Sequence, residues 1–174
     1  MKSHSVIRIL LVLCVTFSLA RVSTAQQAPN AVFLELGGSA VLYSINYDRH
    51  LTPDMGFRVG FGYLGLSASS SDQSTDVSSA SASVLIIPAT FNYFLGTGSS
   101  RLELGAGIVY VSLSASVSGG VGSAFSGSGI GGAAVIGYRY QPSDGGLLFR
   151  ASFTPIIGSG GFLPWAGLSV GYAF

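Results

Sequence analysis

The stretch Leu163-Pro164-Trp165-Ala166-Gly167-Leu168-Ser169-Val170-Gly171-Tyr172-Ala173-Phe174 decides the fold. Counted back from the last residue, Phe174, Tyr172, Val170, Leu168 and Ala166 share one parity. Ala173, Gly171, Ser169 and Gly167 share the other. Successive side chains of a strand point to opposite faces. One face is therefore apolar and carries two aromatics, and the other is small and weakly polar. A barrel strand with lipid outside and a packed lumen inside demands this pattern. A strand of a water-soluble β-sandwich alternates too, so one strand alone does not separate the two folds.

The alternation returns along the chain. Val32, Leu34 and Leu36 alternate with Phe33 and Glu35. After a tight turn at Gly37-Gly38-Ser39, Val41, Tyr43, Ile45 and Tyr47 alternate with Ser44, Asn46 and Asp48. Phe57, Val59, Phe61 and Tyr63 alternate with Gly56, Arg58, Gly60 and Gly62. Leu85, Ile87, Ala89, Phe91 and Tyr93 lead into Leu102, Leu104, Ala106, Ile108 and Tyr110. Ala134, Ile136, Tyr138 and Tyr140 precede Leu147, Phe149, Ala151 and Phe153. With the final stretch this predicts eight strands, near the 9–11 residues or so that a tilted membrane strand requires. The connections at His50, Gly96 and Gln141 are short and rich in turn residues. The Ser-rich stretches near Ser67–Ser83 and Ala115–Gly129 are long and read as loops. Short turns at one end and long loops at the other are the asymmetry of outer-membrane barrels.

Composition points the same way. The charged fraction is 9%, against about 25% in ordinary soluble domains, and mean hydropathy is +0.57. After Ala25 no apolar run approaches the roughly 18 residues of a spanning helix. An apolar chain without such a helix satisfies its backbone in lipid by closing its strands into a barrel. The alternative of a soluble β-sandwich is disfavoured by this hydropathy and by the heights of the aromatics. Tyr47, Phe57, Tyr93, Tyr138, Tyr140, Phe149, Tyr172 and Phe174 share the apolar parity and cluster at the short-turn end, as one interfacial girdle does.

Residues 1–25 read as a cleaved secretory signal. Lys2 and Arg8 precede an apolar Ile9–Ala20, and Ser23-Thr24-Ala25 supplies small residues before Gln26. The bulky Leu13 and the placing of Cys14 inside the apolar region argue against a lipoprotein. The barrel domain is then 26–174. It has no cysteine, and its five arginines against seven acids give 5 − 7 = −2. A basic nucleic-acid footprint is absent.

Several motifs carry a family likeness. They are Tyr138-Arg139-Tyr140-Gln141-Pro142, Gly145-Gly146 with Phe149-Arg150, Pro164-Trp165-Ala166-Gly167 and the terminal Gly171-Tyr172-Ala173-Phe174. Ile87-Pro88 with Asn92-Tyr93 and Leu102-Glu103-Leu104-Gly105-Ala106-Gly107 fit as well. The chain resembles a family of small bacterial outer-membrane β-barrel proteins over nearly its whole length after the signal. The resemblance implies an outer-membrane location and a surrounding of membrane lipid. It also implies that Phe174, with Val170 and Tyr172, forms a C-terminal signal read by the barrel-assembly machinery. Most members of such families have no assigned activity.

By parity, Asp48, Arg58, Glu103, Arg139 and Arg150 point into the lumen, and so does Glu35. Unpaired charges in a narrow barrel are costly, so a salt-bridge network is expected, either closing the barrel or forming a charged gate. If Phe91 faces Ala106, then Val84 faces Leu113, Ala82 faces Ala115 and Ala80 faces Val117, all inward. Leu64, Leu66, Val84, Ile86, Val111, Leu113 and Trp165 are then a candidate apolar lumen lining. It is either a small core under the outer loops or a pocket for a small hydrophobic ligand. An eight-stranded barrel has room for either.

Catalysis is not expected. The one histidine after the signal is His50, in a turn, and the outer serines have no base beside them. Asp72 and Asp76 alone are a poor Ca²⁺ site, and Val117-Ser118-Gly119-Gly120 lacks the strand-to-helix setting of a phosphate loop. No cofactor and no metal are expected. The sequence reads as a monomeric outer-membrane scaffold presenting Ser/Gly-rich outer loops. The alternative is binding or passage of a small hydrophobic molecule through the upper lumen.

Overall fold

A computed structural model describes residues 28–69, 79–118 and 122–174. The signal expected at residues 1–25 lies outside them, as do Asp72, Asp76, Gly119 and Gly120.

The strands are β1 (Asn30–Gly37), β2 (Tyr43–Thr52), β3 (Met55–Ser69), β4 (Ser79–Leu95), β5 (Ser100–Ser118), β6 (Ser123–Tyr140), β7 (Gly146–Phe153), β8 (Ile156–Gly158), β9 (Gly161–Leu163) and β10 (Ala166–Ala173). Each pairs antiparallel with its neighbour in the wall. The β1–β10 and β5–β6 pairings close the sheet into a ring. Pro155 and Pro164 cannot donate to a ladder, and they interrupt one hairpin. The short β8 and β9 therefore continue β7 and precede β10, which leaves eight staves.

Alternation sorts the side chains as the opening stretch demands. Ala173, Ser169 and Gly167 are buried, and Val170, Tyr172 and Leu168 face out. Leu36 and Leu168 are 68% and 67% exposed and stand opposite each other in the β1–β10 register. An exterior of this kind has lipid as its solvent.

The long hairpins hold the first difference from the sequence reading. The Ser-rich stretches expected as loops are largely strand, with β3 running to Ser69, β4 from Ser79, β5 to Ser118 and β6 from Ser123. Serine reads as loop by composition. Here it alternates with Leu64, Leu66, Ala82 and Val84, and serine faces serine across strands, as in Ser83↔Ser114 and Ser81↔Ser116. The β4–β5 register is the expected one: Phe91↔Ala106, Val84↔Leu113, Ala82↔Ala115 and Ala80↔Val117. Strands β3 to β6 thus rise as a four-stranded sheet beyond the reach of β2, which last pairs at Ile45↔Phe61.

The second difference is the connection after β1. It is no simple exposed turn, because a 3₁₀ turn at Gly38–Ala40 folds inward and buries Gly38, Ser39 and Ala40. Val41, expected on the outer face of β2, packs instead against an inner cluster of Ala40, Ile86, Val109 and Ala133. At the other end Ala28, Ala31, Phe33, Leu148 and Ala173 form a lower core.

Candidate functional site

The staves carry their ionisable side chains to one level of the lumen. Glu35, Asp48 and Glu103 are 0% exposed, and the arginines among them are equally enclosed. Arg150 donates through Nε to Glu103 Oε2 at 2.6 Å and through Nη1 to Glu35 Oε1. Arg58 meets the same Glu35 oxygen at 3.4 Å. It donates through Nε to Thr90 Oγ1 at 3.1 Å and through Nη2 to Ser39 Oγ at 3.0 Å. Arg139 pairs with Asp48 at 2.8 Å, donates to Gln141 Oε1 at 2.8 Å, and lies 5.1 Å from the centre of the Phe94 ring. The three acids balance the three arginines, 3 − 3 = 0, so the enclosed set is neutral.

All six charged residues expected in the lumen are therefore buried and paired. Six strands contribute one each: β1, β2, β3, β5, β6 and β7. The pairs Glu35–Arg150 and Glu35–Arg58 join residues more than twenty positions apart. Ser39 and Thr90 were not legible as members. Thr90 had the inward parity, but Ser39 comes from the inward-folded connection, which alternation does not describe.

The apolar set divides. Ile86 is buried in the inner cluster, where Val84 and Val111 pack against it. Leu64 is half-buried, while Leu66 and Leu113 stand above it, exposed on the inward face of the raised sheet. Trp165 lies apart at the rim, where its Nε1 donates to the Val41 carbonyl at 2.7 Å. His50, expected in a turn, lies instead within β2, half-buried and stacked on Phe94 with ring centres 4.5 Å apart. Val170 and Tyr172 face outward, and Phe174 exchanges backbone hydrogen bonds with Asn30 where the ring closes. Among the described residues no group of three His, Cys, Asp or Glu side chains is placed to hold a metal ion.

Solved structures share this architecture. The N-terminal β-barrel domain of Pseudomonas aeruginosa OprF superposes with a TM-score of 0.58 at 19% identity, covering 83% of this chain and 95% of that one. The fold is that of the small outer-membrane β-barrels. Ail, the attachment invasion locus protein of Yersinia pestis, solved with the heparin analogue sucrose octasulfate, matches with a TM-score of 0.51 at 15% identity. That match covers 83% of this chain and 94% of Ail. No protein-family model matches the chain, and no curated protein does. Fold and lipid-facing exterior together make it a membrane barrel protein.

Proposed function

We propose that the protein is a non-enzymatic outer-membrane scaffold, a sealed barrel whose working surface is its raised outer sheet. One observation carries this reading. The lumen is stoppered twice, by the neutral ion-pair network and by the apolar cluster of Ala40, Ile86, Val109 and Ala133 above it. A filled lumen leaves the outside as the place to act. The barrel stands as a monomer among membrane lipids, delivered by a cleaved signal and assembled through its C-terminal strand. The test is a planar-bilayer recording of the purified barrel. A silent trace is expected, and a steady single-channel conductance would overturn the reading.

Ail was solved with a polysulfated ligand, but a polyanion partner has no support here. The arginines beyond the signal are Arg49, Arg58, Arg101, Arg139 and Arg150, and none falls in the stretches that form the raised sheet. Sulfates are held by cations and by charge-assisted donors. A second reading, a small hydrophobic ligand at the outer end, rests on the inward face of that sheet. Leu66, Ala82, Ala115 and Phe125 stand side by side across its four strands on that face. Saturable binding of a naphthylamine dye, lost in Leu66→Ser with Phe125→Ser, would favour it.

A further inference from the structure

The connection between β1 and β2 carries the strained backbone of the wall. Among the described residues Val41 is the one non-glycine with positive φ, at φ 68° and ψ −54°. The Leu42 N–H donates to the Ala40 carbonyl at 2.8 Å. Together these make a γ-turn of the rare positive-φ form, centred on a β-branched residue that disfavours it. Such a conformation persists only where its surroundings impose it.

The surroundings are visible on both sides. From the rim, Trp165 Nε1 holds the Val41 carbonyl at 2.7 Å. From the lumen, Arg58 Nη2 holds Ser39 Oγ at 3.0 Å. Between them Ala40 and Val41 pack on Ile86, Val109 and Ala133. At the base of the turn the Gly37 N–H donates to the Leu42 carbonyl at 2.7 Å.

We propose that residues 38–42 are a latched plug. Strain at Val41 favours an outward swing, and the Trp165 indole keeps the plug shut. Release opens the outer half of the lumen as far as Arg58. Trp165 suits the latch because it lies between β9 and β10, outside the regular strands, and its ring is reachable from the outer side. Closure is favoured by burial of Ala40 and by Ser39, without which an enclosed Arg58 N–H loses its acceptor. Release gives access and not conduction, because Phe33, Phe94, Leu148 and Arg139 still fill the inner half.

The chain has one cysteine, Cys14, within the expected signal. Ala40→Cys in the barrel domain is therefore a single thiol reporter for the plug. In lipid vesicles its reaction with a charged, membrane-impermeant maleimide is expected to be slow relative to an exposed Ser114→Cys thiol. Adding Trp165→Phe, which keeps an aromatic ring but removes the indole N–H, should speed it about tenfold. Adding Ser39→Ala should also speed it several-fold, and it carries the test alone if Trp165→Phe does not fold. Heat-dependent gel mobility checks folding of each variant. Equal rates with and without these changes would overturn the latch. A reporter that reacts as fast as the Ser114→Cys thiol in the unlatched and latched barrels alike would overturn the plug.

Discussion

At the scale of single residues, Glu35 is the pivot. One of its oxygens serves both Arg150 and Arg58 and also accepts from Ser169 Oγ at 3.5 Å. Removing one partner of a buried set leaves a charge without compensation. Glu103→Ala should therefore lower stability by about 3–5 kcal/mol, read as the shift of the urea midpoint for the barrel in vesicles. Glu103→Gln, which keeps shape and one acceptor, should recover part of the loss. Gly38 is tied to the same carboxylate. Its φ is 65°, and a Cβ there would lie 2.2 Å from the Glu35 carboxyl carbon. Gly38→Ala should cost about 1–3 kcal/mol in the same assay from backbone strain alone, and more from displacing Glu35. The inward parity of the six charges was readable from the sequence. Which acid meets which arginine was not, because those partners are brought together by ring closure and by the stagger of the staves.

At the scale of elements, the raised sheet shows where lipid ends. Outward rows climb from Ile87, Tyr110 and Ile130 to Leu85, Ser112 and Ser128, and then to Ser83, Ser114 and Ser126. Four residues of rise exchange large apolar side chains for hydroxyls. Arginine on the lipid face costs about 2–4 kcal/mol near the midplane and little beyond the interface. Leu168→Arg should thus lose about 2–4 kcal/mol of stability in vesicles, while Ser114→Arg should change it by less than about 0.5 kcal/mol. Equal losses would place the serine rows in hydrocarbon. The alternation of these strands was legible, and the β4–β5 register followed from it. The rise of β4 and β5 to Ala80 and Val117 was legible with it, whereas that of β6 was not, because Ser/Gly-rich composition resembles loop until cross-strand partners are known. The inward fold of residues 38–40 left no trace in the alternation either, since a short segment entered through the glycine pair Gly37-Gly38 is compatible with many turns.

At the scale of the whole molecule, the β1–β10 seam decides whether the ring forms. Phe174 donates its N–H to the Asn30 carbonyl at 2.8 Å, and Asn30 returns the bond at 3.0 Å. The ring of Phe174 faces outward, 46% exposed, and contributes little to the core. Deleting Phe174 should therefore leave refolding into detergent nearly unchanged while reducing insertion in cells. The measurement is the ratio of heat-modifiable to unfolded protein in membranes against that in detergent. Equal loss in both would mean that the seam needs the residue and that assembly does not read it.

What the sequence by itself determined is the solvent and the wall. A period-two pattern with lipid-compatible side chains on one parity, and no spanning helix, leaves a closed barrel as the way to satisfy the backbone. What only the tertiary structure decided is the filling. The pairing of Glu35 with two arginines, the inward turn at Gly38–Ala40 and the hold of Trp165 on Val41 all join residues distant in sequence. Such contacts follow from the diameter and stagger of the closed ring, which local alternation does not encode.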